Sequence, residues 1–177
     1  MRPEIQGVLA VIYCVDAPAA TALRESLRAC GVVSIRTTRT PAHFLAVCQV
    51  DKPDLVVLSL KGDPEAPFDL LRRIRAGDQG ANPFLPVVMA LSAPSAEIVR
   101  QAIAAGVHEF LVLPTSVNAL SALIHRAVFI SRPFIQVPTY AGPCRRRRQI
   151  ARCGSADRRK VPWAGYVHAA HKPAAAI

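Results

Sequence analysis

The sequence is poor in long apolar runs, in cysteine, and in acidic residues toward its C-terminal end. No apolar run in the 177 residues reaches the ~18 that a membrane span requires, and no charged-then-apolar leader with a cleavage site opens the chain. Five cysteines are too few for a disulfide scaffold, and their odd number favours a reducing compartment. We therefore expect a cytoplasmic protein without membrane contact.

Apolar residues and positive charge are abundant, but they lie in different parts of the chain. The hydrophobic fraction of 51% excludes a disordered or fibrous protein and suits one compact domain with an extension. The net charge is +10, yet residues 1–131 carry only +1 and residues 132–177 carry +9. The sequence thus predicts a nearly neutral domain over 1–131 and a basic tail over 132–177, which we expect to be largely disordered.

Five apolar stretches alternate with five helical patterns in the first 131 residues. Apolar, β-branched runs predict strands at Val8–Val15, Val32–Arg36, Asp54–Leu60, Pro86–Ser92 and Glu109–Leu113. Helical spacing lies between them and ends at Gly31, Gly77 and Gly106, with a last helix over Val117–Ile130. Strict alternation predicts an α/β fold with a doubly wound, five-stranded parallel sheet. Its working site should lie at the carboxyl ends of the strands.

Five segments in this order resemble the receiver domains of bacterial response regulators, which have a flavodoxin-like fold. They are Asp16–Pro18, Lys52–Leu60, Phe68–Arg75, Pro86–Ala93 and Ala104–Pro114. The resemblance implies two-component signalling, in which an aspartate at the end of the third strand accepts a phosphoryl group beside Mg²⁺. An acidic pair, a Ser or Thr, a Lys and a switch aromatic complete that family's site.

Carried onto this chain, the family's site is incomplete. The phosphoacceptor position is Ser59, the acidic pair is reduced to Asp16, and the lysine position is Leu113. Ser92 keeps the hydroxyl, and Phe110 stands at the switch aromatic. A neutral hydroxyl without a base is a poor acceptor, and one carboxylate is a weak magnesium site. We therefore interpret the domain as a degenerate receiver that is not an enzyme, with Mg²⁺ binding lost or weak.

Simpler structural roles remain open for the same residues. Ser59 can satisfy its hydroxyl against the backbone at a strand end. Asp16 can cap the first helix, and Ser92 can cap the helix that begins near Pro94. Phe110 can be an ordinary core residue.

Signalling without phosphorylation requires a contact surface. Receivers use the face of the fourth helix, fifth strand and fifth helix for partners or dimers, and here that face includes Pro94–Ala105 and Val117–Ile130. Because residues 117–131 carry only His125 and Arg126 as potential cations, this face suits burial against a protein. A protein partner or a homodimer is the expectation.

The basic tail supports a second hypothesis. Its arginines suit contacts to nucleic-acid phosphates, to an acidic protein face, to the chain's own domain, or only to solvent, and aromatic residues lie nearby. These arginines are Arg145, Arg146, Arg147 and Arg148. The segment Tyr140–Arg148 resembles a Tyr-x-Gly-Pro-x-Arg-Arg element found after some single-domain receivers. The spacings of the tail's cysteines and histidines are poor matches to zinc sites, so we expect no metal.

The leading hypothesis is a pseudo-receiver that acts through phosphorylation-independent protein contacts. The alternatives are a nucleic-acid-associated regulator that binds through the tail and a receiver with an unorthodox phosphoacceptor.

Overall fold

The computed structural model describes residues 3–130, 132–137, 140–144 and 166–167. The first five strands and the five helices alternate along the chain, as the sequence predicts. The strands are β1 (Leu9–Tyr13), β2 (Ser34–Thr38), β3 (Leu55–Ser59), β4 (Val87–Leu91) and β5 (Glu109–Val112). The helices are α1 (Ala17–Ala29), α2 (Pro41–Asp51), α3 (Ala66–Ala76), α4 (Ala96–Ala104) and α5 (Val117–Val128).

The five strands form one parallel sheet in the order β2-β1-β3-β4-β5. Every residue of β3 and β4 is buried, because these central strands are covered on both faces. β2 and β5 are the edge strands, and Val112 of β5 is 47% exposed. The predicted doubly wound, flavodoxin-like sheet is confirmed.

Two apolar layers cover the sheet, and strand residues point alternately into one or the other. One layer packs α1 and α5 against the sheet through side chains such as Leu23, Leu27 and Ile124. The other packs α2, α3 and α4 against the opposite face through side chains such as Phe44 and Ile74. The sheet edges at which strands begin and end are thus the places where polar groups from the loops meet.

Helix starts follow local capping rules, with one correction to the sequence-based reading. The hydroxyl of Ser95 accepts the N–H of Ile98 at 3.2 Å and caps α4, so Ser92 is not the cap.

The second strand also begins later than Val32. The Val32 N–H donates to the carbonyl of Leu27 at 3.1 Å, which keeps Val32 tied to the end of α1.

The first part of the basic tail differs from its prediction. Three short strands, β6 (Phe134–Val137), β7 (Tyr140–Pro143) and β8 (Tyr166–Val167), form an antiparallel sheet in the order β7-β6-β8. The sequence of 132–177 shows no strand periodicity, but these segments form strands. The sequence does not show the apolar-polar alternation of a strand there, because prolines interrupt it and because Phe134 is buried by the domain it contacts. Arg145–Arg148 lie outside the described residues.

No helix in the described part of the chain is long and apolar enough to cross a membrane.

Candidate functional site

The carboxyl ends of β1, β3, β4 and β5 bring together the positions that the sequence singled out. Asp16 follows β1 after two residues, Ser59 ends β3, Ser92 follows β4, and Leu113 follows β5. Pairing of Ser59 with Ala90 and of Leu91 with Val112 places these ends side by side along one edge. The structure therefore brings all four positions to a single edge of the sheet.

Asp16 caps the start of α1. Its Oδ1 accepts the N–H of Ala19 at 2.8 Å, and its backbone carbonyl accepts the N–H of Ala20 at 2.9 Å. Such a cap satisfies an N–H group that has no partner within the helix. The capping role proposed from the sequence is thus observed for this carboxylate.

Ser59 is buried, with 4% of its surface exposed. Its Oγ accepts the N–H of Lys61 at 3.3 Å, which ties the hydroxyl to the loop that follows β3. This is the local backbone contact expected of a serine at a strand end. Ser92, in contrast, is exposed just after the end of the neighbouring strand β4.

Leu113 and Phe110 are both half-buried and pack into opposite layers. Leu113 lies against the layer that contains α1 and α5, and its N–H donates to the carbonyl of Leu91 at 2.8 Å. Phe110 lies against the layer that contains α2, α3 and α4. The peptide bond between Leu113 and Pro114 is cis. The end of β5 therefore offers an apolar side chain to the edge rather than a cation.

The loop between β3 and α3 adds a carboxylate that the sequence analysis did not single out. Oδ1 of Asp63 accepts the N–H groups of Glu65 and Ala66, each at 3.0 Å, and so caps α3 from outside the helix. Burial raises the pKa of Tyr13, and the negative charge of Asp63 raises it further. The Gly-Asp-Pro run of this loop was the available signal, since Asp is favoured just before helices.

This loop turns at a glycine beside Asp16. Gly62 has a φ of +89°, and a Cβ there would lie 3.5 Å from the backbone nitrogen of Asp16. At the same rim, Nη2 of Arg39 donates to the carbonyl of Val15 at 3.2 Å. The contacts that hold this edge together are therefore mainly hydrogen bonds to the backbone and helix caps.

Comparison with solved structures identifies the architecture. No protein-family model matches the chain, and no curated protein matches it in sequence. The chemotaxis protein CheY4 of Vibrio cholerae matches with a TM-score of 0.59 and 18% identity, covering 68% of this chain and 98% of its own. The chain has the receiver fold.

Two further receiver domains match to a similar extent. The receiver domain protein from Clostridium thermocellum has a TM-score of 0.60 and 18% identity, over 70% of this chain and 95% of its own. The receiver domain of the histidine kinase PA1611 from Pseudomonas aeruginosa PAO1 has a TM-score of 0.58 and 15% identity, over 69% and 98%. That structure holds a magnesium ion in its active-site cleft.

The side chains at the strand-end edge offer few ligands for a magnesium ion. Mg²⁺ prefers oxygen ligands and is usually held by one or two carboxylates with waters and phosphate. Here one carboxylate oxygen of Asp16 already accepts a helix N–H, Ser59 is neutral, and Leu113 is apolar. Within the described residues, no three or more His, Cys, Asp or Glu side chains gather to hold a metal.

A different surface of the receiver fold is exposed and apolar. β5 is an edge strand, and α4 and α5 flank it from the two layers. On this α4-β5-α5 face, Ile103 is 36% exposed, Val112 is 47% exposed and Val117 is 48% exposed. Among the described residues no strand pairs with the outer edge of β5, and an open strand edge is a place where another chain can pair.

Proposed function

We propose that this chain is a cytoplasmic pseudo-receiver, a signalling module of the two-component type that works by protein contact and without phosphorylation. The observation that carries the proposal is the strand-end edge, where Asp16 is a helix cap, Ser59 is a buried hydroxyl and Leu113 is apolar. Phosphoryl transfer to a side chain requires an activated nucleophile and a cation that balances the developing charge. In this proposal the chain has neither and is not an enzyme.

Exposure to a small-molecule phosphodonor with Mg²⁺, followed by intact-mass measurement, tests the loss of phosphorylation. We expect no change in mass while a phosphorylatable receiver treated in parallel gains one phosphoryl group. A species heavier by about 80 Da, one phosphoryl group, would show instead that the chain is a receiver with an unorthodox acceptor. Peptide mapping would then locate that acceptor.

The α4-β5-α5 face is the proposed contact surface. Its partner is a second copy of this chain or another protein, and light scattering at high concentration with a pull-down on the full chain distinguishes the two. Val112→Glu places a charge in the middle of the face and should abolish the association. Val33→Glu is the matched control, because Val33 is 71% exposed near β2, at the opposite edge of the sheet. A strict monomer that captures nothing would contradict the proposal.

The charge of the tail favours a second candidate, a regulator that binds nucleic acid. Residues 132–177 carry +9, whereas residues 1–131 carry +1. Binding that neutralises several phosphates weakens steeply as salt is added. A shallow salt dependence, or no binding to a labelled duplex, would leave the pseudo-receiver proposal alone.

A further inference from the structure

The hairpin formed by β6 and β7 is docked on the receiver fold near the amino ends of β4 and β5. Its anchor is Phe134, which is 2% exposed and contacts Phe84, in the loop before β4, edge-to-face with ring centres 4.9 Å apart. The guanidinium carbon of Arg75 lies 5.4 Å from the centre of the Phe134 ring. In β7, the carbonyl of Ala141 lies against Gly106, which follows α4. The hairpin is therefore held by an aromatic anchor and by a backbone contact.

A groove of about 520 Å³ lies between this docked hairpin and the last turns of α3 and α4. Small-molecule sites in proteins are typically clefts of roughly 300–1,000 Å³ that combine apolar walls with a few polar groups. The described residues that line the groove are four alanines, a valine, a tyrosine, two glutamines and two arginines, and none of them is acidic. The groove thus has the size of a small-molecule site and a positive charge.

One of the two arginines, Arg75, supplies charge from within the wall. It is 4% exposed, and its Nε donates to the carbonyl of Gly106 at 3.0 Å. Its Nη1 donates to the carbonyls of Pro83 and Leu85 at 2.7 and 3.0 Å, and its Nη2 lies 2.9 Å from Nδ1 of His108. The N–H groups of Arg75 are therefore used mainly inside the protein, while its charge remains close to the groove.

The other arginine, Arg72, lies one turn earlier on α3 and is exposed. Within the described part of the chain no carboxylate pairs with it, whereas the next residue, Arg73, pairs with Asp78 at 3.4 Å. A guanidinium presents parallel N–H groups that bind a carboxylate or a phosphate through two hydrogen bonds. Arg72 is thus the group at the groove that is placed to bind an anion.

The remaining lining favours an apolar body behind that anion. Ala76 ends α3, Ala104 ends α4 and Ala105 follows it, and Val137 of β6 lines the groove from the hairpin side. These side chains are small and carry no polar atoms, so a ring or short chain lying on them removes apolar surface from water. Because the groove has one exposed guanidinium, a ligand with one anionic group matches it better than one with several.

We propose that the groove between the hairpin and the last turns of α3 and α4 binds a small organic molecule that carries one anionic group on an apolar body, with Arg72 as the ligand of that group. A segment of an acidic protein fits less well, since its several carboxylates meet a single exposed guanidinium. Such a ligand contacts the hairpin and the domain at once, so its binding stabilises the docked arrangement. The site goes beyond the proposed function, because it involves neither the strand-end edge nor the α4-β5-α5 face.

The probe for the test is 8-anilinonaphthalene-1-sulfonate, which has one anionic group on apolar rings and is used to report binding to apolar protein surface. Titration of the full chain, followed by fluorescence, should show one saturable site. Arg72→Gln should weaken binding by about tenfold through loss of the charge-assisted hydrogen bonds. Arg28→Gln is the matched control, because Arg28 is 56% exposed on α1, which packs on the opposite layer. It should bind as the wild type does.

Two further measurements separate the groove from unspecific apolar binding. Ala104→Glu places a negative charge in the groove at an exposed helix position, so it should abolish binding while circular dichroism shows an intact fold. N-Phenyl-1-naphthylamine has the same rings without the sulfonate, and its affinity should not change in Arg72→Gln.

Three results would overturn the proposal. The first is an equal affinity of the sulfonate probe for Arg72→Gln and Arg28→Gln, and the second is the absence of a saturable site. The third is loss of binding in Val112→Glu, which would place the probe on the α4-β5-α5 face. Displacement of the probe by a decapeptide of glutamate at lower concentration than unlabelled organic monoanions such as naphthoate would also overturn it, since an acidic protein segment would then be the occupant.

Discussion

Replacing Gly106 with alanine tests how the hairpin is held to the receiver fold. Gly106 follows α4 with a φ of +90°, and a Cβ there would lie 2.2 Å from the carbonyl oxygen of Ala141 in β7. Gly142 completes the contact, because a Cβ at that residue would lie 2.7 Å from the Cα of Gly106. The hairpin therefore meets the domain backbone to backbone, at a distance that only glycine permits.

The expected loss of unfolding free energy in Gly106→Ala has two parts. A non-glycine residue in the left-handed region costs roughly 1–2 kcal/mol. Relief of the contact with Ala141 requires the hairpin to retreat, which removes Phe134 from its pocket, and burial of a phenylalanine side chain is worth about 1.5–3 kcal/mol. Gly106→Ala should therefore lower the free energy of unfolding by about 2.5–5 kcal/mol.

Gly80→Ala is a control in which only the cost of the left-handed backbone conformation applies. Gly80 has a φ of +77°, but nothing lies within 4 Å of the place of its Cβ. It should lose about 1–2 kcal/mol. Urea unfolding followed by far-ultraviolet circular dichroism gives both values, and the slope with denaturant should fall only in Gly106→Ala, because less surface is then buried. If the two variants lose the same free energy, the close approach of Gly106 and Ala141 does not hold the hairpin.

Two further predictions concern the other edge and the core. Asp16→Ala should lower the free energy of unfolding by about 1 kcal/mol through loss of the α1 cap. If Asp16 is a cap and not a metal ligand, added Mg²⁺ should shift the urea midpoint of neither the variant nor the wild type, and a shift confined to the wild type would contradict this. Burial and the nearby charge of Asp51 raise the pKa of Cys48 to about 12. Its thiolate fraction near pH 8 is then on the order of one in ten thousand, so iodoacetamide should modify it far more slowly than in the unfolded chain. Equal rates, measured by peptide mapping, would refute this.

The parallel sheet was predictable because its central strands are continuous apolar runs. Leu55–Ser59 and Val87–Leu91 lie within the predicted segments, since a strand covered on both faces leaves an uninterrupted pattern. The second strand was misplaced by two residues, because the hydrogen bond from Val32 to Leu27 is a tertiary detail that apolar spacing does not encode.

The candidate site was predictable in position but only partly in role. The predicted parallel sheet placed Asp16, Ser59, Ser92 and Leu113 at the carboxyl ends of its strands, and in the structure they lie at or just after those ends. It did not indicate that Ser95 would replace Ser92 as the cap, since both serines precede the same helix. The loss of phosphorylation remains a prediction.

The docked hairpin was not predictable from local pattern. Arg75 reads in the sequence as one of several arginines on an amphipathic helix, and His108 reads as a polar residue before a strand. Their burial depends on carbonyl groups of two separate loops and on the ring of Phe134. Contacts of this kind join residues that are distant in sequence, and no periodicity records them.

The docked hairpin also determines where the chain can be cut. A chain ending at residue 131 would lose Phe134 and Arg132, so that Phe84 and the buried guanidinium of Arg75 would face water. Deletion at that boundary would damage the domain itself. A partner that fails to bind the shortened chain would then be wrongly assigned to the basic tail. Cys144, whose N–H donates to the carbonyl of Pro133, is the end point that keeps β6, β7 and the buried Phe134, and it removes β8, the third strand of the small sheet. Deletion mapping of this protein should therefore begin after Cys144.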